Sequence, residues 1–428
     1  MFGWEFPPNI SGGLGTACYG LVKGLLHKGV NVLFVVPKAY GDEDQNVARI
    51  IGASDVVIDV RDSKYTEFWS HFSYMEVNSR LVPYVSPEEY YQLLENSRQD
   101  GVESLESVYS RKFHFSGAYG PGLLEEVEKY ALVAGFIASE NEHDVIHAHD
   151  WLTYKAGIAA RKASGKPLVV HMHATEYDRS GESNINQAVF AIEKEGMEAA
   201  DLVIAVSDLT RNTVIKRYGI APEKVITVHN GVSPSDFELH GVERHIRDKI
   251  VTFLGRITYQ KGPDYYVEAA RKVLDKDPKV RFVMAGSGDM LNRMIKRAAA
   301  LRMGSRFHFT GFLKGVDVHK MFALSDVYVM PSVSEPFGIS PLEAMRSNVP
   351  VVISKQSGVA EVLHHALKVD FWDIDGLADA IYGLLNYPAL AGMFRKHGRQ
   401  EVENLKWEHA AEKVRDVYLT ALRIYANR

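Results

Sequence analysis

The chain has 428 residues, of which 46% are hydrophobic and 24% are charged, and its formal net charge is −5. Because a single hydrophobic core stops growing at roughly 250 to 300 residues, this length predicts two domains. Acidic and basic residues are mixed along the chain, which excludes the basic field that nucleic-acid binding requires. No run approaches the roughly 20 apolar residues that span a bilayer, so we expect neither a nucleic-acid partner nor a membrane span.

Cys18 is the only cysteine, which excludes an intrachain disulfide and a cysteine-based zinc site. The first eight residues have neither the basic start nor the apolar core of a signal peptide. We therefore expect a cytoplasmic protein.

Short β-branched runs alternate with stretches of helical period, which is typical of βαβ units and a parallel sheet. In the first half, strands are predicted at residues 31–37, 144–148, 167–172, 201–206 and 224–229. Residues 59–121 interrupt the alternation and favour an inserted hairpin or loops. Beyond a polar stretch at 233–249, strands are predicted at residues 250–255, 281–285, 307–310, 327–330 and 350–353.

These two series predict an α/β protein with two Rossmann-like, doubly wound parallel sheets that face each other across a cleft. We place the first domain at residues 1–240 and the second at 241–406, with the polar stretch as the linker. Residues 407–428 complete the chain, and their periodicity predicts one closing helix over Trp407–Ala426.

A glycine-rich turn that contains Gly13 and Gly15 lies between the short first strand and a helical run. Glycines there let backbone N–H groups approach an anion at a helix N-terminus, although a tight strand-to-helix turn requires the same residues. The NAD-binding fingerprint needs glycine or alanine where this chain has Cys18, which argues against a dinucleotide.

Arg256 and Lys261 lie between Gly255 and Gly262, directly after the first predicted strand of the second domain. Ligands of parallel α/β sheets bind at such strand ends. A guanidinium fork and a mobile ammonium suit a diphosphate whose leaving group gains negative charge. Two solvated surface cations are the alternative interpretation.

The segment from Met330 to Met345 carries the strongest signal in the chain. Pro341 suits the first turn of a helix, which places Glu343 in that turn and Glu335 in the loop before it. Carboxylates accept hydrogen bonds from the vicinal hydroxyls of a sugar or ribose, and the N–H groups of the loop and helix can meet phosphate. A capping Glu343 and a solvated Glu335 are the alternative.

Two His-x-His pairs contribute His147, His149, His171 and His173. Alternate residues of a strand share a face, so these four side chains could chelate a metal, as in a metallohydrolase. That hypothesis leaves the other motifs unexplained, and we prefer buried, hydrogen-bonded core histidines for His147 and His171.

The motifs at 255–262 and 335–343 resemble the donor site of retaining GT-B glycosyltransferases of the group 1 or GT4 type, and the resemblance covers nearly the whole chain. The segments at 147–151 and 171–175 are also similar to bacterial and plant-type glycogen and starch synthases. The resemblance implies an acceptor-side first domain and a second domain that binds a nucleotide sugar. The basic residue that glycogen synthases place before the glycine loop is absent, with Ile10-Ser11 in its stead.

The resemblance also implies a role for each matching residue. Arg256 and Lys261 would contact the donor diphosphate, Glu343 the ribose and Glu335 the donor sugar. His173 would support the donor sugar and Asp150 would orient the acceptor. The remaining donor-binding positions would be Gly13, Gly15, Asn230, Gly338, Ile339 and Ser340.

The function so implied is transfer of a hexose, with glucose as first choice, from ADP- or UDP-glucose to an oligo- or polysaccharide acceptor, with retention and without a cofactor or metal. The alternatives are a sucrose-type or cell-surface glycan glycosyltransferase, a His-ligated metallohydrolase and a non-catalytic glycan-binding protein.

Overall fold

The computed structural model describes residues 1–8, 13–44, 47–59, 110–117, 119–120, 122–181, 184–232, 244 and 246–428. Most of the predicted insertion at 59–121 and most of the predicted linker lie outside these residues. Contacts divide the chain into two compact units. Unit 1 comprises Met1–His171, Ala191–Val203 and Arg415–Arg428, and unit 2 comprises Met172–Phe190 and Ile204–Val414. The predicted boundary between residues 240 and 241 falls outside the described residues and stays a prediction.

Eight strands are described in the first half of the chain: β1 (Leu33–Val36), β2 (Arg49–Gly52), β3 (Val57–Asp59), β4 (Ser110–Lys112), β5 (Ile146–His149), β6 (Leu168–Met172), β7 (Leu202–Ala205) and β8 (Val225–Thr227). β1 and β2 pair in parallel, and a four-stranded sheet has the order β5-β6-β7-β8. Phe2 bridges in parallel to both Val35 of β1 and Ala148 of β5, so residues 1–3 lie between these strands. The five predicted strands are confirmed. Of the antiparallel pair β3-β4, β3 ends where the predicted insertion begins and β4 lies inside it.

Six helices are described in this half: α1 (Gly13–His27), α2 (Leu123–Glu140), α3 (Trp151–Ser164), α4 (Glu176–Ser180), α5 (Gln187–Ala199) and α6 (Asp208–Tyr218). Capping residues determine where two of these helices begin or end. The Ser207 hydroxyl accepts the Thr210 N–H at 3.0 Å and caps the start of α6. Gly165 and Gly219 end α3 and α6 in the left-handed conformation, which glycine adopts without steric cost.

A six-stranded parallel sheet forms the centre of unit 2, with strands β9 (Ile250–Leu254), β10 (Arg281–Ala285), β11 (Phe307–Gly311), β12 (Val327–Met330), β13 (Val351–Ser354) and β14 (Leu367–Val369). Its order is β11-β10-β9-β12-β13-β14, and the five strand pairs are parallel. This is the doubly wound order in which the direction of winding reverses at β9 and β12, and ligands bind at the carboxyl ends of the strands beside that reversal. The five predicted strands of this half are confirmed.

The helices of this half are α7 (Pro263–Lys276), α8 (Leu291–Ala300), α9 (Val316–Leu324), α10 (Ser340–Arg346), α11 (Ile374–Asn386), α12 (Pro388–Val402) and α13 (Trp407–Ala426). The last of them has the bounds that the sequence predicts. Tyr266 of α7 is fully buried beneath the sheet, where its hydroxyl donates to the carbonyls of Val251 and Val283 at 2.8 and 3.1 Å. This contact fixes α7 and the glycine before it against β9 and β10. None of the described helices is long and apolar enough to cross a membrane.

Candidate functional site

The segments that follow β9 and β12 meet at the carboxyl ends of these neighbouring strands. The Val333 N–H donates to the Gln260 carbonyl at 2.9 Å. Gly262 has φ +64°, and a Cβ built on it would lie 2.1 Å from the Pro331 carbonyl oxygen. Only glycine permits this approach, because any side chain would force the two segments apart.

Lys261 and Glu335 form an ion pair at this junction, in which the Lys261 ammonium donates to Oε2 of Glu335. The two side chains are only 19% and 8% exposed. The Ser332 hydroxyl donates to the same carboxylate oxygen at 3.2 Å. The structure therefore brings together two predicted site residues that are 74 positions apart.

Arg256 lies on the same segment as Lys261 but is exposed, and its guanidinium is 3.5 Å from Oε1 of Gln260. This position leaves the side chain room to reorient. The segment thus carries one cation in an ion pair and a second one facing solvent, and both follow β9.

The Arg256 segment rests on a glycine turn after β10 that the sequence analysis did not single out. Gly286 has φ +147°, and a Cβ there would lie 1.8 Å from the Gly255 carbonyl oxygen. A Cβ on Gly288, with φ +159°, would lie 2.3 Å from the Ile257 carbonyl oxygen. The sequence signal for this turn was a Gly-x-Gly pattern directly after a predicted strand. The two glycines allow the backbone after β10 to contact the backbone after β9.

The backbone of Glu335 is held by the segment after β13. Its N–H donates to the Gln356 carbonyl at 3.0 Å, and its carbonyl accepts the Gly358 N–H at 2.8 Å. A Cβ on Gly358 would lie 2.1 Å from the Pro336 carbonyl oxygen, so the two segments are packed backbone to backbone. The Glu335 carboxylate therefore projects from a fixed main chain.

Glu343 lies half-buried in the first turn of α10, as predicted. Burial raises the pKa of its carboxyl above the usual 4.5, and the charge of Arg346 acts in the opposite direction. Ser340, the first residue of this helix, accepts the Tyr328 hydroxyl at 3.0 Å. Just before the helix, Gly338 has φ +99° and Ile339 packs against the apolar core.

His173 lies just beyond the end of β6, in unit 2. Burial lowers its pKa from 6.5 to about 3, so the imidazole is neutral at physiological pH. A neutral ring donates from one nitrogen and accepts at the other, which suits a sugar hydroxyl better than an anion. Asn230, also in unit 2, is buried beyond β8.

Asp150 occupies the residue before α3 in unit 1 with φ 63° and ψ 168°, a backbone region that is essentially restricted to glycine. Its N–H donates to the His171 carbonyl at 2.9 Å. Strain of this kind persists where the surroundings impose it, and it is concentrated at functional sites. The observation supports a site role for Asp150.

The structure places Gly13 and Gly15 in the first turn of α1, and Gly15 has a partner that sequence reasoning missed. Oε1 of the buried Glu5 accepts the Gly15 N–H at 3.2 Å. Burial, together with the charges of Glu5 and Asp150, raises the pKa of the Cys18 thiol. The thiol thus stays protonated, and two carboxylates lie close to the first turn of α1. A charged residue inside the apolar opening segment was the signal for Glu5.

His147, His149 and His171 are buried on one face of β5 and β6, and their ligand atoms lie within 4.8 Å of one another. Their rings are stacked, with interplanar angles of 28°, 5° and 30°. Ring-plane lone pairs of stacked imidazoles run nearly parallel, whereas zinc needs them to converge tetrahedrally. Nδ1 of His147 is 2.6 Å from the Tyr418 hydroxyl. The arrangement favours packed core histidines over the metallohydrolase hypothesis.

Comparison with protein families gives two matches. Residues 238–401 match the family described as glycosyl transferases group 1, and residues 97–236 match the one described as glycosyltransferase family 4.

The chain is also similar to curated relatives. It is 28% identical to an uncharacterized glycosyltransferase of Methanocaldococcus jannaschii, over 99% of this chain and 98% of that protein. It is 31% identical to the alpha-maltose-1-phosphate synthase of Mycolicibacterium smegmatis, over 64% of this chain and 78% of the relative. A glycogen synthase of Mycobacterium tuberculosis is 27% identical, over 65% and 69%.

Two solved structures share the fold. The sucrose-phosphate synthase of Thermosynechococcus elongatus superposes with a TM-score of 0.67 at 19% identity, over 98% of this chain and 95% of that one. The HepE protein of Anabaena, in complex with UDP-glucose, superposes with a TM-score of 0.58 at 20% identity, over 71% and 84%.

Proposed function

Since this chain belongs to the GT4-type glycosyltransferases, which have the two-domain GT-B fold, we propose that it transfers glucose from a nucleoside diphosphate to an α-glucan, with retention at the anomeric carbon. The observation that carries this proposal is the meeting of Lys261 and Glu335 at the carboxyl ends of β9 and β12. A cation for phosphate and an acceptor for sugar hydroxyls stand side by side there.

Departure of the diphosphate is the difficult step. In this proposal Lys261 and Arg256 stabilise the negative charge that develops on the leaving group, and no bound metal is needed. Lys261 has to exchange its contact with Glu335 for one with phosphate. That exchange releases Oε2 of Glu335 for a hydroxyl of the donor sugar.

Retention could also proceed through a glycosyl-enzyme intermediate, with Glu335 as the nucleophile. We favour displacement on the front face, with Glu335 binding sugar hydroxyls. The support is that the Ser332 hydroxyl donates to Oε2 of Glu335 at 3.2 Å, so the carboxylate already acts as a hydrogen-bond acceptor for a hydroxyl. Mass-spectrometric detection of a glycosyl adduct on Glu335 would overturn this choice.

ADP-glucose and UDP-glucose are the preferred donors. The UDP-glucose complex of HepE and the glycogen synthase among the relatives support a glucosyl nucleotide. The glycogen synthase also supports an α-glucan acceptor, with glycogen as its test substance. A sucrose-type acceptor is the second candidate, because the fold of a sucrose-phosphate synthase covers 98% of this chain.

A donor screen without added metal tests the proposal. ADP-glucose, UDP-glucose and GDP-mannose are each offered with and without glycogen, and release of the nucleoside diphosphate is followed in the presence and absence of EDTA. Glycogen-dependent release that survives EDTA supports the proposal. Release that glycogen does not increase would refute the α-glucan assignment, and loss of turnover with EDTA would refute metal independence. An absence of release from all three donors would refute the proposed function.

A further inference from the structure

We propose that Asp178 is a positioning residue for Glu335, and that it acts through a hydrogen bond to Ser334. This inference rests on the proposed function, because it assigns to Asp178 the task of aiming a carboxylate that binds the donor sugar. Asp178, Ser334 and Glu335 all belong to unit 2.

Asp178 is a buried carboxylate, 7% exposed, and both of its oxygens have partners. Oδ2 accepts the N–H and the hydroxyl of Thr175 at 2.8 and 2.7 Å. Oδ1 accepts the Ser334 hydroxyl at 2.5 Å across 156 positions of sequence. The Thr175 contacts belong to the capping box of α4, whereas the Ser334 contact is not needed to cap that helix. A buried carboxylate with a long-range partner holds two segments together.

Ser334 is the residue before Glu335, so its anchoring fixes the approach of the chain to that carboxylate. The Glu335 main chain is already held on its other side by the segment after β13. Without the Ser334 side-chain contact, the chain just before Glu335 would be held only by the backbone hydrogen bonds to the Gln260 carbonyl. The Glu335 side chain would then sample orientations that do not face the donor sugar, which costs turnover even when the fold is intact.

The same carboxylate also fixes the segment that follows His173. Thr175 binds Asp178 through its backbone and its side chain, and Nη1 of Arg179 donates to the Ala174 carbonyl at 2.8 Å. Asp178 therefore ties the His173 segment to the Glu335 loop. Asp178 thereby sets the distance between His173 and Glu335, which the proposed function places next to the same donor sugar.

The experiment compares Ser334→Ala with Asp178→Asn in the full chain, using the donor on which the wild type turns over. Ser334→Ala removes the bridge and leaves the capping box intact. Asp178→Asn is the conservative variant, because its amide can donate to the Ser334 hydroxyl while its oxygen still accepts from Thr175. Ser139→Ala is the matched control, since this exposed serine of α2 belongs to unit 1 and its hydroxyl donates to the Phe136 carbonyl within the same helix.

We expect Ser334→Ala to lower kcat about tenfold, as the loss of one positioning contact does. The affinity for UDP should stay unchanged, whereas the affinity for UDP-glucose should fall. The same comparison applies to ADP and ADP-glucose. Asp178→Asn should retain most of the turnover, and Ser139→Ala should match the wild type. The contrast between the nucleotide with and without sugar separates positioning from a general loss of structure.

A Ser334→Ala protein with normal turnover, or with equal losses for UDP and UDP-glucose, would overturn the inference while leaving the proposed function in place. If Asp178→Asn loses as much turnover as Ser334→Ala, the hydrogen-bond bridge is not the cause and the inference fails. A wild type that neither binds nor turns over any glucosyl nucleotide would overturn the proposed function, and this inference with it.

Discussion

Glu335 and Glu343, eight positions apart on one segment, have different electrostatic surroundings. Glu335 is paired with Lys261, whereas burial raises the pKa of the Glu343 carboxyl and Arg346 offsets only part of that effect. Carboxyl groups whose pKa is raised by burial are typical of functional sites. This fits a role for Glu343 in accepting hydrogen bonds from a ribose.

Replacing Lys261 with alanine should remove charge stabilisation of the leaving diphosphate. We expect kcat to fall on the order of 100-fold, which corresponds to about 3 kcal/mol, the usual loss for one oxyanion donor. Lys276→Ala is the control, because this lysine of α7 pairs with Asp379 on the exposed surface. Steady-state release of the nucleoside diphosphate measures the effect. Near-normal turnover of the Lys261 variant would remove this residue from the mechanism.

Replacing Glu343 with glutamine should stabilise the fold and weaken the binding of the donor. The pKa of the carboxyl is higher in the folded chain than in the unfolded chain, where it is 4.5. The protonated carboxyl therefore stabilises the fold below pH 4.5, and this stabilisation is lost as the pH rises through the pKa of the folded chain. The neutral amide avoids this loss. We expect a higher melting temperature than wild type at pH 7.5 but not at pH 4, together with about tenfold weaker donor binding. A lower melting temperature at pH 7.5 would contradict the sign.

Replacing Asp150 with glycine or with alanine separates strain from side-chain chemistry. Both variants lose the carboxylate, but only glycine adopts φ 63° and ψ 168° without steric strain. We expect the glycine variant to be more stable than the alanine variant by about 1–3 kcal/mol in urea denaturation. Both should lose turnover, because the acceptor would no longer be oriented. Equal stabilities would show that the backbone is not strained.

At the scale of elements, the sequence predicts strands well where apolar β-branched runs are long and poorly where they are short. β10 and β12 have the predicted bounds. β14 was missed because its three residues include Lys368, which leaves no apolar run, and β2 was missed because Arg49 opens a run of four. In such strands the pairing partner decides the structure, and the local sequence does not.

The loops between these elements carry a prediction about glycine. Gly286→Ala would place a Cβ 1.8 Å from the Gly255 oxygen, so the turn that carries Arg256 has to move. We expect a loss of at least about 2 kcal/mol of stability together with weaker binding of the nucleoside diphosphate. Gly392→Ala is the control, because that position on α12 is open and alanine there should add about 0.5–1 kcal/mol. Denaturant unfolding measures both, and unchanged stability of Gly286→Ala would refute the contact.

For the molecule as a whole, the sequence predicted the two series of parallel strands and the segments that follow β9 and β12. It could not predict which side chains meet. The contact of Lys261 with Glu335 joins positions 74 apart, and that of Asp178 with Ser334 joins positions 156 apart. Such contacts depend on strand order and on glycines that let backbones approach, and a single sequence does not reveal strand order. Asp178 was missed for the same reason, whereas Glu5 had a local signal as a charged residue inside the apolar opening segment.

Donor binding should stabilise the whole chain, because a ligand that binds only the folded state shifts the unfolding equilibrium by mass action. At a concentration 100 times its dissociation constant, the nucleotide sugar contributes about 2.7 kcal/mol. For a chain of 428 residues this corresponds to a rise of about 3 °C in the melting temperature. The rise should persist in EDTA, since Arg256 and Lys261 supply the positive charge, and it should shrink in Lys261→Ala at the same donor concentration. A shift that EDTA abolishes and magnesium restores would mean that a metal ion, and not these two side chains, carries the diphosphate.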